Sequence, residues 1–510
     1  MSDRKIHISA EQILNIGRKR RRRRPVVTPV ARAELPPEEL ECLKIRLVGH
    51  VVMPGDNSYE AGRRLFNRRF DPHPSAIIYC MVERDVGLCL DAVRRHETPF
   101  RLRAGGNSFA GYSGSDGVII DVSGLNDVSI DPAGLFATVG SGCSFAKLQS
   151  ILDDQELHLP LGDAKDVRIA GFVQGGGFGL TSRTYGMNSD QVLDVRLMLA
   201  DGRIVRASDT VNHDLWWAVR GGTGGNFGVL LTTRYRLRRA PQQNPWCLGW
   251  RLWRDADLEN AVSGLMTLQD SFMRSGAPIE MNVSAVILYL AEAPAGVPKM
   301  PWMIMWGTYV GSESDMDALL EPLLSNPGCW PRFQPLLGGR HRLKFDRCGR
   351  LVSRDLKPQD WRSILSHFLA NTPNRQSTLQ IDAWGGAINA YPRESSAFIH
   401  RDTAFNMGLT VWWQTKTQEA ASKSFLSSWS DLVMPFWNGQ IYQNFPTADA
   451  PDYESNYWGA AFPALAAVKH KYDPDCMFDF PQAIKPGVQS SVTWPPRVVE
   501  SLRQPIMTGA

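Results

Sequence analysis

The sequence predicts an α+β protein made of two packed domains, and three observations support this prediction. The chain has 510 residues, which is more than one hydrophobic core usually organises. Its first half alternates short apolar runs with glycine-rich turns and one clear amphipathic helix. From about residue 241 it changes to long aromatic strands, and twelve of the sixteen tryptophans lie between Trp246 and Trp437. The second half therefore predicts a mostly antiparallel sheet with aromatic side chains on at least one face.

The first half opens with a predicted β-α-β unit. An apolar run at residues 76–79 precedes a helical pattern, and a second strand-like run ends at Arg103. Farther along, apolar residues alternate on both sides of Asp201-Gly202, which is the strongest short hairpin signal in the chain. The apolar side of the predicted helix contains Val86, Leu90 and Val93.

The second half combines aromatic strands such as "WCLGWRLW" and "MPWMIMWGTYVG" with helical stretches such as "DLENAVSGLMTLQDSFM". Four aromatic residues there are candidates for stacking on a sugar or a flat aromatic substrate. We favour the alternative that each is ordinary sheet core, because large aromatic side chains dominate cores. The four are Trp306, Tyr309, Trp384 and Trp412.

The charge of the chain is concentrated at its amino terminus. The formal net charge is +4, yet residues 1–24 hold nine Lys and Arg against two acids. The run "GRKRRRRRP" is typical of a contact for an anionic surface or nucleic acid, or of a targeting address, but a tail of this composition is usually disordered. We interpret residues 1–47 as a basic, disordered extension and expect no other nucleic-acid contact. No run of about 18 apolar residues occurs, so we expect no membrane partner.

The cysteines and histidines show no metal-binding spacing. All eight cysteines stand singly, without a C-x-x-C pair, and the ten histidines are equally dispersed. This pattern is typical of free thiols in a reducing compartment, so we expect a cytoplasmic protein without a bound metal. Chemistry then needs an organic cofactor or side chains alone.

Two glycine clusters are candidates for holding a phosphate. "GGNS" at 105–108 and "GGGFG" at 175–179 let the backbone approach a ligand and present successive N–H donors to it. Neither is a P-loop, and the second lacks the strand-turn-helix context of a dinucleotide fingerprint. Because glycine often marks a plain structural turn, the clusters alone leave both interpretations open.

Seven blocks of the chain, taken in order, resemble one protein family. They are "PGDNSYEAGRRLFN", "RLRAGGNSFAGYS", "GFVQGGGFGLTSRTYGMNSDQVLDVRLMLADGRIV", "HDLWWAVRGGTGGNFGVL", "FIHRDTAFNM", "YQNF" and "YWGAAFPALAAVKHKYDPDCMF". With these blocks the sequence resembles the FAD-linked oxidases of the vanillyl-alcohol oxidase and p-cresol methylhydroxylase superfamily, most closely the berberine-bridge-enzyme-like branch. The resemblance extends over roughly residues 48–485.

The resemblance implies a two-domain FAD-binding fold of the p-cresol methylhydroxylase type. Residues 48–240 and 437–510 would form the FAD-binding domain, and a substrate-binding domain at 241–436 would be inserted between them. The cofactor-binding residues that the resemblance implies are Arg103, Ala104, Gly105, Gly106, Asn107, Ser108, Gly162, Asp163, Ala164, Val167, Gly171, Gly175, Gly176, Gly177, Gly179, Val229, Tyr442 and Asn444.

Several positions depart from the family pattern. Many members have "GGHS" in the first loop, where the histidine is joined to the 8-methyl group of the flavin, and here the matching residue is Asn107. A second link in many relatives comes from a cysteine, and Ala164 occupies that position. We therefore expect FAD to be bound without a covalent link. Ala461 and Ala464 stand where relatives commonly have Asn and Arg, so one polar cofactor contact is expected to be missing.

The resemblance also points to a catalytic group. An alcohol oxidase needs a base that takes the O–H proton while a hydride leaves the carbon. Family sugar oxidases use a tyrosine paired with a carboxylate, and the matches are Tyr442 and Asp382, with Gln380 on the same strand face. The alternatives are a core tyrosine, a structural carboxylate paired with an arginine such as Arg401, and a strand amide that only satisfies a neighbour.

We therefore expect an FAD-dependent oxidoreductase that takes a hydride from an alcohol, hemiacetal or amine carbon of a small substrate, such as a sugar or natural product. Gly162 leaves space where the family tunes oxygen access, so O2 is the expected electron acceptor. Two alternatives stay open, because one fold supports many functions. They are a catalytically silent flavin-binding or regulatory protein and a flavin-dependent oxidative cyclase.

Overall fold

The computed structural model describes residues 34–290, 300–331 and 343–487. The arginine-rich run of the predicted extension lies outside this part of the chain. Within the described part, no helix is long and apolar enough to cross a membrane. Its residues combine helices with three main sheets, two of which are antiparallel throughout, and this confirms the α+β class.

Helix α1 (Pro37–Arg46) is the first element of the described chain, and it corrects one expectation. The predicted disorder of residues 1–47 is wrong here, because α1 buries Leu40 and Leu43 against the first sheet and its helix. Its proline pair does not break the helix, since Pro37 occupies the first helical position, where the missing N–H has no partner to lose. Acidic residues in the first turn and basic residues in the last favour the same helix.

A four-stranded sheet forms the first layer. Its elements are β1 (His50–Val52), α2 (Tyr59–Gly62), β2 (Ala76–Tyr79), α3 (Glu83–Arg95), β3 (Phe100–Arg103) and β4 (Val118–Asp121). The order is β1-β2-β4-β3, with β2 and β3 both parallel to β4. Helix α3 buries Val86, Leu90 and Val93. The β-α-β prediction is therefore confirmed, with β4 placed between its two strands.

A five-stranded antiparallel sheet follows. Its region contains β5 (Val128–Asp131), β6 (Phe136–Gly140), α4 (Phe145–Asp153), β7 (Leu157–His158), α5 (Ile169–Gln174), α6 (Ser182–Tyr185), β8 (Val192–Met198), β9 (Ile204–Ser208), α7 (His213–Val219), β10 (Val229–Arg236) and β11 (Arg238–Arg239). The order is β5-β6-β10-β8-β9, and β7 pairs with β11. Strands β8 and β9 form the hairpin predicted at Asp201-Gly202.

The second half is built on a six-stranded antiparallel sheet, as its aromatic strands predict. It contains β12 (Gln243–Arg251), α8 (Asp255–Leu268), β13 (Met281–Leu290), β14 (Met300–Val310), α9 (Glu313–Leu324), β15 (Lys344–Val352), α10 (Pro358–Asn371), β16 (Thr378–Ala383), α11 (Ala387–Ala390), β17 (Phe405–Trp413) and α12 (Lys416–Val433). The strand order is β12-β14-β13-β16-β17-β15. Apolar residues such as Ile381 and Leu409 form one core with Leu265, Phe368 and Trp429 of the helices. This core occupies one sheet face and leaves the other for a site.

The carboxy-terminal segment returns to the first half of the chain. Helices α13 (Tyr453–Trp458) and α14 (Phe462–Tyr472) contribute Trp458 and Leu465 to the core of the five-stranded sheet. The Lys469 ammonium on α14 forms a buried ion pair with Asp473 and donates to the carbonyl oxygen of Asn226 at 2.6 Å. The domain boundaries at residues 240 and 436 stay a prediction.

Candidate active site

A cavity of about 840 Å³ extends from the glycine-rich loops of the first half to the third sheet. Most of the residues that the sequence analysis assigns to the cofactor line it, and so do two members of the predicted catalytic trio. They are Arg103, Ala104, Gly105, Gly106, Asn107, Ser108, Gly162, Asp163, Ala164, Val167, Gly171, Val229, Asn444, Tyr442 and Gln380.

The loop after β3 forms one wall at the glycine-rich end. Gly106 has a φ of +67°, a left-handed conformation that glycine adopts without strain. A side chain at Gly105 would place its Cβ 2.8 Å from Arg168 Cγ, so the Arg168 side chain would have to shift to admit any other residue. Asn107 Nδ2 donates to the carbonyl oxygens of Gly105 and Asp166, both at 3.3 Å. Asn107 therefore ties the two loops together.

Two arginines at this end have different environments. The guanidinium of Arg103 forms a buried ion pair with Asp121 and donates to Tyr79 Oη at 3.2 Å, so its charge is already compensated. Arg168, which the sequence analysis did not single out, lines the cavity with a buried Nε that has no hydrogen-bond partner. Ser113 Oγ, another lining atom, is also buried and unpartnered. Arg168 is thus better placed than Arg103 to meet an anionic ligand.

These walls fit an anionic organic cofactor such as FAD. Glycines keep the backbone accessible, and buried polar atoms without partners are normally satisfied by a ligand or water. A further glycine-rich wall is formed by Thr223, Gly224 and Gly225. The sequence analysis does not assign these three residues to the site, although they lie in "GGTGGNFGVL", which is part of one of the seven blocks that resemble the family. The residues that would hold FAD are the loop glycines, Asn107 and Arg168.

The opposite wall is the free face of the third sheet. Because side chains alternate along a strand, each of β15, β16 and β17 places two alternate residues on the cavity wall. These residues are Phe345 and Arg347, Thr378 and Gln380, and Thr410 and Trp412. Between them, Leu379 and Val411 belong to the core on the other face. The period-two argument that placed Gln380 on this face therefore extends to three neighbouring strands.

Tyr442 lies where the two walls meet and is 2% exposed. Its Oη accepts hydrogen bonds from the backbone N–H of Gly177 at 3.0 Å, from that of Phe178 at 2.9 Å and from Asn444 Nδ2 at 3.0 Å. The expected pairing differs in one respect, since no hydrogen bond joins Tyr442 to Asp382. Burial raises the pKa of Tyr442 to about 12, and the three donors act against this rise.

The glycine run after α5 forms hydrogen bonds with other parts of the protein. Gly175, Gly176, Gly177 and Gly179 do not line the cavity, and their expected role at the cofactor stays a prediction. Gly177 instead donates its N–H to Tyr442, and the Gly179 N–H is bonded to Ser182 Oγ at 2.8 Å. The glycines of this run predict a close approach between the backbone and another group, but the sequence alone does not identify Tyr442 as that group.

Asp382 lies behind the cavity wall and is 1% exposed. It accepts hydrogen bonds from Ser284 Oγ at 2.8 Å, from Gln380 Nε2 at 2.8 Å and from Asn406 Nδ2 at 3.2 Å. Burial raises its pKa, while the nearby charge of Arg347 and the three donors oppose the rise.

Arg347 is a second charged residue of the cavity that the sequence analysis missed, after Arg168. Its Nη1 donates to Gln380 Oε1 at 3.4 Å and to Thr410 Oγ1 at 3.1 Å. Gln380 therefore bridges Arg347 and Asp382. The expected alternative partner of Asp382 is wrong, because Arg401 forms a buried ion pair with Asp190 instead. An arginine in the strand "KFDRCGRLV" gives no signal until its pairing with β17 is known.

Only one of the four aromatic residues considered for stacking lines the cavity among the described residues. Trp412 lines it and packs against Phe345 with ring centroids 4.6 Å apart. Tyr309 belongs to the core, and Trp384 is buried behind Tyr442 at a centroid distance of 5.4 Å. Trp306 is half-buried on β14 and does not line the cavity. Core packing, the favoured interpretation, is right for Tyr309 and Trp384.

Comparisons with known proteins agree with this geometry. The family model "FAD binding domain" matches residues 74–208, and "Berberine and berberine like" matches residues 441–485. The FAD-linked oxidoreductase pynB of Aspergillus niger is 30% identical over 500 residues, which cover 87% of this chain and 90% of that protein. The chain belongs to the berberine bridge enzyme-like FAD-linked oxidoreductases. It is therefore an enzyme with FAD as its cofactor.

Two further relatives place this FAD-linked oxidoreductase within the family. The chitooligosaccharide oxidase of Gibberella zeae is 25% identical over 473 residues, covering 85% of this chain and 91% of that protein. Among solved structures, wild-type BBE-like 1 of Physcomitrella patens matches with a TM-score of 0.76 at 24% identity, covering 88% of this chain and all of the other. This structural match supports the two-domain FAD-binding fold that the resemblance implied.

Proposed function

We propose that this FAD-linked oxidoreductase oxidises an alcohol, hemiacetal or amine carbon of a small molecule, with Tyr442 as the general base. In the alcohol case, Tyr442 takes the proton from the substrate O–H while the carbon gives up a hydride. Bound FAD would accept that hydride. The observation that supports this proposal is the position of Tyr442, which lies in one cavity between the cofactor loops and the open sheet face.

Gln380 is proposed to orient the substrate hydroxyl. Its side chain lines the cavity on the sheet wall and is held by Arg347 on one side and Asp382 on the other. An amide fixed by two charged neighbours has little rotational freedom, so it offers a fixed hydrogen-bonding edge. Asp382 does not line the cavity, and its proposed role is to hold Gln380 and to balance Arg347.

The aromatic cluster at the sheet end of the cavity favours a substrate with a flat ring. Five aromatic rings pack together there, and Phe109 stacks on Phe445 at 5.5 Å with an interplanar angle of 8°. The relative named chitooligosaccharide oxidase makes a sugar the second candidate. A sugar presents many hydroxyl groups, and each would need a polar partner in the wall. The five rings are Phe66, Phe109, Phe345, Phe445 and Trp412.

We also propose O2 as the electron acceptor and a non-covalent cofactor. Gly162 lines the cavity and has no side chain that would occupy it, which favours access of O2 beside this loop. Asn107 and Ala164 are the residues that replace the two attachment points.

We also propose a cytoplasmic location, because all eight cysteines are free and none is fully exposed.

Anaerobic mixing of the purified holoenzyme with candidate substrates tests the proposal. We expect the yellow flavin colour to bleach with an aryl or allylic alcohol, faster than with a neutral oligosaccharide, and to return when air is admitted. Bleaching by the oligosaccharide alone would select the sugar candidate. Colour that no alcohol, hemiacetal or amine bleaches would contradict an oxidase and favour a flavin-binding or regulatory role. A bleached sample whose product contains a new ring and two hydrogens fewer than the substrate would favour an oxidative cyclase.

A further inference from the structure

The oxygen of Tyr442 is surrounded by three hydrogen-bond donors of fixed identity. Two are backbone N–H groups, of Gly177 and Phe178, which can only donate. The third is the Asn444 side chain, whose Nδ2 lies 3.0 Å from Tyr442 Oη. The same Nδ2 donates to the carbonyl oxygen of Phe172 at 2.9 Å. Because a carbonyl oxygen only accepts, the amide of Asn444 must face Tyr442 with its N–H2 group.

Three donors exceed what a neutral phenol accommodates. A phenol oxygen accepts through two lone pairs and needs an acceptor for its own proton. Among the described residues, every hydrogen bond that reaches Tyr442 Oη comes from a donor. A phenolate oxygen has no proton to place and accepts all three bonds, and bonds to a charged acceptor are the stronger ones.

We infer that Gly177, Phe178 and Asn444 form a phenolate cradle that stabilises the deprotonated form of Tyr442. This inference deepens the proposed function, since it assigns Asn444 and the glycine run to the base rather than to the cofactor. Asn444 is a positioning residue that acts through Tyr442. The arrangement resembles an oxyanion hole, but it stabilises a charge on the enzyme's own base.

The glycine run is required by this cradle. A Cβ at Gly175 would lie 2.0 Å from Asn444 Oδ1, so any side chain there would displace the Asn444 amide. Gly176 and Gly177 have φ values of +104° and +81°, which turn the next two N–H groups toward Tyr442. The conformation that the glycines permit therefore presents both the backbone donors and the side-chain donor to one oxygen.

The pH dependence of flavin reduction tests the cradle through Asn444. The base acts when deprotonated, so the rate constant should rise with pH up to the pKa of Tyr442. Asn444→Leu removes one charge-assisted donor, so we expect the rising part of the pH profile to move about one pH unit higher. At a pH below the pKa of Tyr442, this shift lowers the rate constant about tenfold. Asn444→Asp should move it farther in the same direction, because an ionised carboxylate repels the phenolate.

A second readout does not depend on turnover. The difference in near-ultraviolet tyrosinate absorption between the holoenzyme and its Tyr442→Phe variant reports the ionisation of Tyr442 alone. The same difference between Asn444→Leu and the double variant Asn444→Leu/Tyr442→Phe should begin about one pH unit higher. In the Tyr442→Phe background, Asn444→Leu should change the reduction rate by less than about twofold, because it acts through the missing oxygen.

The two proposals fail in different ways. If Tyr442 ionises at the same pH with and without the Asn444 donor, in both the leucine and the aspartate variants, the cradle is wrong whatever the enzyme oxidises. If no substrate reduces the flavin while the optical titration shifts as expected, the cradle stands and the proposed oxidation is wrong. FAD absorbance of each variant shows that the site has folded.

Discussion

Tyr442 combines a position at the cavity junction with three hydrogen bonds that favour its anion. If it is the base, Tyr442→Phe should lower the rate constant of flavin reduction by ~10²-fold or more, since general-base catalysis contributes 10² to 10⁴. FAD should stay bound, because the loops that would hold it are unchanged. Anaerobic stopped-flow absorbance measures the rate.

A matched control for this prediction is Tyr453→Phe. Tyr453 is half-buried on α13, donates its hydroxyl proton to the Ala483 carbonyl oxygen at 3.1 Å and does not line the cavity. Loss of this hydroxyl group should leave the rate constant of flavin reduction within about twofold of that of the unchanged enzyme, because Tyr453 has no role in the chemistry. Equal rates in the two variants would assign the base to another residue.

The positive charge of Arg347 compensates the buried carboxylate of Asp382. Both are buried, and Arg347→Leu would leave Asp382 without a nearby cation. We expect a loss of ~3 kcal/mol in the free energy of unfolding, because an uncompensated buried charge is costly. The double variant Arg347→Leu/Asp382→Asn should recover most of this loss. Thermal unfolding of the holoenzymes provides the comparison.

The same pair predicts a pH dependence with a defined sign. Burial already raises the pKa of Asp382 above its ordinary value, and removing Arg347 removes an influence that lowers it. A carboxyl whose folded pKa is raised destabilises the fold when it is ionised. The stability deficit of Arg347→Leu should therefore be full above that folded pKa and shrink as the pH falls through it. A deficit independent of pH would show that lost packing, rather than charge, causes it.

At the scale of single elements, helix α1 should contribute to the core although the sequence analysis placed it in a disordered extension. Leu43 is 1% exposed, while Ile45 on the same helix is 84% exposed. Leu43→Ala should lower the free energy of unfolding by ~2 to 5 kcal/mol because it leaves a cavity, and Ile45→Ala should change it by less than about 0.5 kcal/mol. Thermal unfolding measures both. Equal effects would mean that α1 does not pack as described.

The strands were the most predictable elements. Alternation located β8 and β9 and the aromatic strands of the third sheet, because a half-buried strand repeats every two residues. The sequence did not predict which residues of the third sheet come together at the site. Arg347, Gln380 and Thr410 come together through pairing between strands that are distant in sequence. A single sequence contains the period of each strand but not the register between them.

At the scale of the whole molecule, the candidate site needs three distant parts of the chain. Gly177 and Phe178 come from the first half, Gln380 from the third sheet, and Asn444 with Tyr442 from the segment that follows. Motif resemblance found most of these positions because the blocks occur in order. It did not show that the glycine run contacts Tyr442, which the folded chain brings to the N–H groups of Gly177 and Phe178. Contacts between blocks are a property of the folded chain.

Cofactor retention is also a property of the whole fold. Asn107 and Ala164 stand at the two attachment positions, and Asn107 Nδ2 is bonded to the carbonyl oxygens of Gly105 and Asp166. Non-covalent contacts that exist only in the folded chain are lost on denaturation. We expect acid precipitation of the holoenzyme to give a white pellet and a yellow supernatant whose flavin has the mass of unmodified FAD.

The contrary outcome of that experiment is equally defined. A pellet that stays yellow, or intact protein heavier by one FAD, would mean that another residue forms the bond and that the alignment of the two loops is wrong. Asn107→His offers a positive control for covalent attachment, because the residue of the family pattern is restored in a loop whose glycines are unchanged. The histidine would give up the two hydrogen bonds that tie the loops together. Attachment in this variant should therefore be accompanied by a lower melting temperature of the FAD-free protein, and FAD binding should offset that loss.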